Sequence, residues 1–123
     1  MPDRKLVMVV EDDEDIQKML ALILDLEGYD SMQAGDGLEA LAKLQNAHPL
    51  PNLIIVDLMM PHMSGEEFVH RMRGTPTLAK IPVLILSGDM RARAIAEKMG
   101  ARTFLPKPVG LDVLSASVRE AIE

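Results

Sequence analysis

Cysteine is absent from this sequence of 123 residues, which excludes disulfides, thiol catalysis and cysteine metal sites and is compatible with a reducing cytoplasm. Aromatic residues amount to only 2%, too few for the stacking platforms that bind single-stranded nucleic acid. A net charge of −6 also disfavours direct nucleic-acid binding by this domain. No apolar run approaches the roughly 18 residues of a membrane span, and the N-terminus lacks the pattern of a signal peptide. We therefore expect a cytoplasmic protein without membrane insertion.

Short apolar segments alternate with amphipathic segments along the whole chain, and residues 1–123 are read as one domain. The short apolar segments predict five buried strands. They cover residues 6–10, 31–34, 53–56, 83–86 and 103–106. The pattern indicates an α/β fold with a central parallel sheet and five helices on both faces. In such a sheet the ligand site lies outside the carboxyl ends of the strands.

The five predicted helices have recognisable starts and stops. Apolar residues at helical spacing from Ile16 to Leu24 predict the first helix, which Gly28 ends. Asp36 and Ser64, each followed three residues later by glutamate, predict the starts of the second and third helices. The fourth helix is expected from about Met90 to Met99, with Gly100 as its stop, and the fifth from residue 111 to 122.

Polar residues follow four of the five predicted strands, and each has two readings. The run "EDDED" (11–15) reads either as acids at a helix N-terminus or as a cation site, since five adjacent acids repel one another. Asp57 reads as a turn residue, Ser87 as a helix cap and Lys107 as a surface charge. Together at one sheet edge they suit the handling of a phosphoryl group.

These motifs, in this order, resemble the response-regulator receiver domain of two-component signalling. The resemblance rests on "VVEDDEDI", "AGDGLEALAKL", "NLIIVDLMMPHMSG", "VLILSGD" and "FLPKPV", and it covers essentially the whole chain. It implies a flavodoxin-like, doubly wound fold with strand order 2-1-3-4-5. It also implies a signalling switch that accepts a phosphoryl group from a histidine kinase or phosphotransfer protein and is not an enzyme.

The resemblance also implies a role for individual residues at the phosphoacceptor site. Asp57 resembles the phosphoacceptor. Glu11, Asp12, Asp57 and the backbone carbonyl of Met59 would bind Mg²⁺, with Mn²⁺ as an alternative, and Asp12 is the better candidate for a direct ligand. Lys107 would pair with Asp57 or its phosphoryl group. Side chains of Met59 and Asp89 would flank the site and tune the lifetime of the phosphoryl group.

A second group of residues is implied to transmit the change or to shape the site. Ser87 resembles the switch hydroxyl and Phe104 the switch aromatic residue. Pro61 and Gly65 shape the loop after Asp57, and Pro108 would follow Lys107 through a cis peptide bond. The face formed by the fourth helix, fifth strand and fifth helix would bind a downstream protein, an output domain or a second copy of the chain.

Three other interpretations stay open at this point. A phosphohydrolase of the haloacid-dehalogenase type would need a second acid where Met59 stands. A non-phosphorylated pseudo-receiver would have lost members of the set, and a flavin-binding module would need an aromatic- or glycine-rich loop. Sequence alone does not decide between a stand-alone regulator and the receiver of a larger protein, and it does not identify the kinase, the output or the oligomeric state.

Overall fold

The computed structural model describes residues 4–58, 60, 62–88, 91–101, 103–107 and 110–122. Five strands alternate with five helices along the chain. The strands are β1 (Leu6–Val10), β2 (Asp30–Ala34), β3 (Leu53–Val56), β4 (Val83–Ser87) and β5 (Thr103–Pro106). The helices are α1 (Glu14–Leu26), α2 (Gly37–Gln45), α3 (Gly65–Arg73), α4 (Ala92–Lys98) and α5 (Leu111–Ile122).

All strand pairings are parallel, and the strand order is β2-β1-β3-β4-β5. The predicted fold and strand order are therefore confirmed. Two strands are one residue longer than predicted, since β2 begins at Asp30 and β4 ends at Ser87. Asp30 extends β2 because it pairs with Leu6 on this edge strand, where a polar side chain reaches solvent.

Two hydrophobic clusters cover the two faces of the sheet. On β1, Met8 and Val10 face the cluster formed with α2, α3 and α4, whereas Val7 and Val9 face the cluster formed with α1 and α5. This division follows from the two-residue period of a strand. Because both faces are covered, the central strands carry continuous apolar runs, as the sequence pattern predicts.

The helix ends lie where their capping residues predict. Asp36 and Ser64 accept hydrogen bonds from the backbone N–H groups of Glu39 and Glu67, three residues into their helices. Gly28 and Gly100 adopt positive φ angles of 91° and 68° in the position after the C-caps of α1 and α4. Among the described residues, no helix is both long and apolar enough to cross a bilayer.

Candidate functional site

The carboxyl edge of the sheet collects the polar residues that follow the strands. Glu11 comes directly after β1, Asp57 after β3 and Lys107 after β5, while Ser87 is the last residue of β4. Glu11, Asp57 and Ser87 are buried, with exposed fractions of 2%, 6% and 1%. Buried polar groups of this kind need partners, because burial removes their contact with water.

Lys107 connects the two buried carboxylates. Its Nζ lies 3.1 Å from Asp57 Oδ2, and 3.1 and 3.2 Å from the two carboxylate oxygens of Glu11. The Lys107 side chain is only 22% exposed. These three residues come from positions far apart in the sequence, and the parallel sheet brings them together at the carboxyl ends of β1, β3 and β5. We call Glu11, Asp57 and Lys107 the buried cluster.

The charges of the buried cluster do not balance when both carboxylates are ionised. Burial, and after it the negative charge of Asp57, raises the pKa of Glu11 from 4.5 to about 7. Burial lowers the pKa of Lys107, but its hydrogen bonds to and attraction by the two carboxylates outweigh burial and raise that pKa. Two carboxylates against one ammonium group leave one negative charge, so the edge favours an additional cation.

Three carboxylates at this edge fit a divalent cation. Oxygen atoms of Glu11, Asp12 and Asp57 all lie within 4.8 Å of one another. Carboxylate oxygens are the ligands that Mg²⁺ prefers, and Mg²⁺ commonly takes few protein ligands and keeps several waters. Both oxygens of Glu11 already accept from Lys107, whereas Asp12 is exposed, so Asp12 and Asp57 are the better placed direct ligands.

The acidic run 11–15 divides between the two roles that the sequence left open. Asp13 is the N-cap of α1 and accepts hydrogen bonds from the N–H groups of Asp15 and Ile16. Glu14 and Asp15 lie in the first turn, where acidic side chains interact favourably with the helix dipole. Only Glu11 and Asp12 are grouped with Asp57, so the run both caps a helix and contributes to the candidate cation site.

Gly65 is required by close packing against the backbone of Asp57. A Cβ atom at position 65 would lie 2.5 Å from the Asp57 carbonyl oxygen and 2.8 Å from Leu58 Cα. The Gly65 N–H also donates to the carbonyl of Leu58 at 3.1 Å. The start of α3 therefore rests directly on the residue that carries the central carboxylate.

Ser87 and Phe104 lie on the neighbouring strands β4 and β5. The backbone carbonyl of Ser87 accepts a 2.8 Å hydrogen bond from the N–H of Lys107, which places Ser87 beside the buried cluster. Phe104 pairs in register with Ile85 and is half-buried. The guanidinium of Arg93, on α4, lies 5.2 Å from the centre of the Phe104 ring.

Several predicted residues lie outside the part of the chain that the structure describes. They are Met59, Pro61, Asp89 and Pro108, together with the predicted cis bond after Lys107. Their implied roles stay predictions. The described residues nonetheless bring together the core of the predicted set, namely Glu11, Asp12, Asp57, Ser87 and Lys107.

Two contacts in the structure were not predicted from the sequence. Lys107 was expected to pair with Asp57, but it contacts Glu11 at a similar distance. His62 was given no role, yet its Nδ1 lies 2.9 Å from Asp36 Oδ2 in the preceding helix cap. Both contacts join residues distant in sequence, so no local pattern predicts them. The one indication in the sequence was the predicted N-cap Asp36. An N-cap uses one carboxylate oxygen, so the second oxygen can contact another residue.

The fold and the edge cluster define a doubly wound α/β domain with an acidic site at the carboxyl ends of its strands. The family model for the response regulator receiver domain matches residues 7–119. The chain therefore belongs to the response regulator receiver domain family of two-component systems.

Curated relatives share about a third of their residues with this chain. It is 33% identical over 115 residues to the transcriptional regulatory protein CpxR homolog of Haemophilus influenzae, and 34% identical over 113 residues to the response regulator MprA of Mycobacterium tuberculosis. Each alignment covers 92% of this chain but 48% of the relative. The chain thus spans about half the length of these relatives.

Solved structures match over nearly their whole length. The chemotaxis protein CheY4 of Vibrio cholerae is 31% identical, with a TM-score of 0.88 over 97% of this chain and 99% of that chain. A response regulator receiver protein from Pseudomonas putida is 30% identical, with a TM-score of 0.88 over 98% and 99%. Both matches agree with the strand order and helix arrangement of the fold described above.

Proposed function

We propose that this chain is a phosphorylation-dependent switch in which Asp57 accepts a phosphoryl group from the phosphohistidine of a histidine kinase or phosphotransfer protein. The observation that carries the proposal is the placement of Asp57. Its carboxylate is buried, lies 3.1 Å from the ammonium of Lys107, and is within 4.8 Å of carboxylate oxygens of Glu11 and Asp12. Few structural roles require a lysine and three acids at one strand edge.

The proposed reaction is a nucleophilic displacement at phosphorus. A carboxylate oxygen of Asp57 forms a bond to phosphorus while the bond between phosphorus and the histidine nitrogen breaks, and the imidazole leaves with the electron pair. Lys107 offsets negative charge on the phosphoryl oxygens, which a positioned cation does without reorganisation. Water later hydrolyses the acyl phosphate and restores the carboxylate.

The acidic residues at the edge would hold Mg²⁺, or Mn²⁺ as an alternative. Glu11, Asp12 and Asp57 supply the carboxylates, and the backbone carbonyl of Met59 is a further proposed ligand. When bound, the metal ion adds positive charge next to the phosphoryl oxygens. Binding would also relieve the repulsion between Glu11 and Asp57, which contributes to the raised pKa of Glu11.

Phosphorylation is proposed to act on Ser87 and Phe104. A phosphoryl group adds about −1.5 to −2 charge and three strong hydrogen-bond acceptors. The Ser87 hydroxyl would turn toward one of these oxygens, and Phe104 would move inward from its half-buried position. The face formed by α4, β5 and α5 would then change, and partner affinity would follow by population shift.

The partner is proposed to bind at that face. Arg91, Arg93 and Lys98 make α4 and its start basic in a chain of net charge −6, which suits an acidic protein partner or a second receiver. Charge reversal of Arg91 and Arg93 is expected to weaken partner binding. Unchanged affinity for every partner would remove this part of the proposal.

A cytoplasmic location is also proposed, since the phosphodonor kinase needs ATP.

Mg²⁺-dependent labelling tests the proposed reaction. Wild-type protein, Asp57→Asn and the control Asp25→Asn are incubated with acetyl phosphate, with Mg²⁺ or with EDTA. We expect wild type and Asp25→Asn to gain one phosphoryl group only with Mg²⁺, and Asp57→Asn to gain none. Labelling of Asp57→Asn at the wild-type rate would overturn the assignment of the phosphoacceptor.

The same samples separate a switch from a phosphohydrolase. Position 59 carries methionine where a phosphohydrolase of the haloacid-dehalogenase type carries a second acid, so general-acid help to a leaving group is missing. We expect no multiple turnover on small phosphoesters. Sustained turnover that disappears in Asp57→Asn would favour the enzyme instead.

A further inference from the structure

The loop between β3 and α3 is joined to the start of α2 by a pair of side chains. His62 Nδ1 lies 2.9 Å from Asp36 Oδ2. The other oxygen of Asp36 accepts a hydrogen bond from the Glu39 N–H at 2.9 Å, as an N-cap does. One carboxylate therefore holds both the first turn of α2 and the loop that follows Asp57.

A second contact lies directly beside the first. The Met63 side chain is 3% exposed and packs against Gly37, the first residue of α2. A Cβ atom at Gly37 would lie 2.8 Å from the Met63 sulfur, so only glycine leaves room for this approach. Residues 36 and 37 thus meet residues 62 and 63, and we call these four residues the loop clasp.

The backbone at His62 has an unusual conformation. Its φ angle of 65° lies in the left-handed region, and His62 is the only non-glycine residue with positive φ in the described part of the chain. Residues other than glycine adopt this region uncommonly, although histidine, asparagine and aspartate do so more often than most. Its side chain is 68% exposed, so burial contributes little to holding it there.

The clasped loop has both ends on Asp57. It leaves the sheet through Asp57, and it returns at Gly65, where a Cβ would lie 2.5 Å from the Asp57 carbonyl oxygen. A shift at His62 and Met63 would therefore be transmitted to the Asp57 backbone through the close contact at Gly65. The side chain of Asp57 is short, so the position of its carboxylate closely follows the position of the Asp57 backbone.

We propose that Asp36 and His62 are positioning residues for the phosphoacceptor site: their contact fixes the β3–α3 loop and thereby the Asp57 carboxylate that binds Mg²⁺ and accepts the phosphoryl group. This inference rests on the proposed function. Neither residue touches the reacting atoms. Their effect is expected in Mg²⁺ affinity and phosphorylation rate rather than in stability, since a contact to a histidine side chain that is 68% exposed contributes little to folding.

Four variants separate positioning from capping. Asp36→Ser keeps an N-cap oxygen on a side chain too short to reach His62. Asp36→Asn keeps the cap with its amide oxygen and turns its NH2 toward His62, where it can donate to an unprotonated Nδ1. His62→Asn removes the imidazole but tolerates positive φ. The control is Glu67→Gln, which breaks an exposed pair with Arg71 on α3 (3.6 Å) away from the clasp.

Mg²⁺ affinity is measured by calorimetry, and the initial rate of labelling by acetyl phosphate is measured at saturating Mg²⁺. We expect Asp36→Ser and His62→Asn each to weaken Mg²⁺ binding about tenfold, the lower end of the loss caused by removing outer-shell partners of a metal site. The double variant should be no worse than either single variant. Asp36→Asn and Glu67→Gln should stay close to wild type.

Two outcomes contradict the proposal. If Asp36→Ser and His62→Asn bind Mg²⁺ and accept phosphoryl groups as wild type does, the clasp does not position Asp57. The same holds if Asp36→Ser and Asp36→Asn lose affinity equally. If wild type binds Mg²⁺ but is never labelled, the proposed function fails, and the Mg²⁺ affinities alone then decide on the clasp.

Discussion

Two clusters of one cation and two carboxylates lie near opposite ends of β1. Before its start, Arg4 contacts Asp25 at 3.1 Å and Asp30 at 3.3 Å. After its end, the buried cluster joins Lys107 to Glu11 and Asp57 at 3.1 Å. The contact distances are nearly the same, but the side chains of Asp25 and Asp30 are 68% and 61% exposed against 3% and 7% for Glu11 and Asp57.

Burial gives these similar clusters different consequences. Water solvates the charges around Arg4, and such exposed pairs contribute between about 0 and 1 kcal/mol to stability. Arg4 also donates to the backbone carbonyls of Gly28 and Tyr29, so its role is to tie the N-terminal segment to the turn after α1. Water reaches the buried cluster poorly, and a proton or a further cation would stabilise its excess negative charge.

Removal of the Lys107 ammonium group is expected to have the largest effect on the contrast between the two clusters. Lys107→Met keeps the apolar stem but leaves Glu11 and Asp57 without their ammonium. We expect the metal-free protein to lose about 2–3 kcal/mol of unfolding free energy, somewhat less than the loss for a fully buried pair because Lys107 is partly exposed. Urea unfolding in EDTA measures the loss, and Mg²⁺ should restore much of it. Equal stability of variant and wild type in EDTA would contradict this description.

Neutralising one carboxylate should change stability in opposite directions at the two clusters. Asp57→Asn removes repulsion with Glu11, so we expect the metal-free protein to become about 1–2 kcal/mol more stable. Asp25→Asn removes an attractive contact with Arg4 and should cost up to about 0.5 kcal/mol. Thermal unfolding in EDTA measures both. A destabilised Asp57→Asn variant would mean that Asp57 is held for stability rather than for chemistry.

Asp36 is a carboxylate of intermediate exposure, since 19% of its side chain is accessible. Its pH dependence therefore extends the comparison between the exposed and the buried cluster. The hydrogen bond from the Glu39 N–H, and next the contact with His62, hold its pKa below the usual 3.8. A lowered folded-state pKa contributes stability above the usual value, and this contribution is lost as the pH falls through the lowered value. Below about pH 4, wild type should therefore lose stability relative to Asp36→Asn. Parallel pH–stability curves for the two proteins would contradict the shift.

A change in salt concentration is expected to have the smallest effect on the stability difference between variants of the two clusters. Arg4→Met should cost about 0.5–1 kcal/mol at low salt. Part of this cost should disappear near 1 M salt, where the screening length falls to about 3 Å, while the loss of hydrogen bonds to carbonyls stays. The cost of Lys107→Met should change much less, because its partners are buried. Equal salt sensitivity of the two variants, measured by urea unfolding, would remove the distinction between the clusters.

Much of the fold follows from local patterns in the sequence. The apolar runs at 6–10 and 53–56 coincide with β1 and β3, since strands covered on both faces consist almost entirely of apolar residues. The run at 103–106 coincides with the edge strand β5. The starts at Asp36 and Ser64 were readable because N-capping depends on two or three neighbouring residues. The weakly apolar edge strand β2 and the polar end of β4 were each predicted one residue short.

The candidate site was only partly predictable. Parallel strand ends meet at one edge, so the grouping of Glu11, Asp57, Ser87 and Lys107 could be inferred from topology. The sharing of Lys107 between two carboxylates and the contact between His62 and Asp36 depend on side-chain packing across distant segments. No periodicity or capping pattern encodes such contacts. The sharing of Lys107 is the contact that makes the edge a buried charge cluster.

Identifying the phosphorylated residue is the most direct test that Asp57 is the phosphoacceptor. Wild-type protein is treated with acetyl phosphate and Mg²⁺, the acyl phosphate is trapped by borohydride reduction, and the modified residue is identified by peptide mass spectrometry. We predict that Asp57 alone is modified and that EDTA abolishes the modification. Modification of Asp12, Glu11 or an exposed acid such as Asp25, or equal labelling without a metal ion, would contradict this prediction.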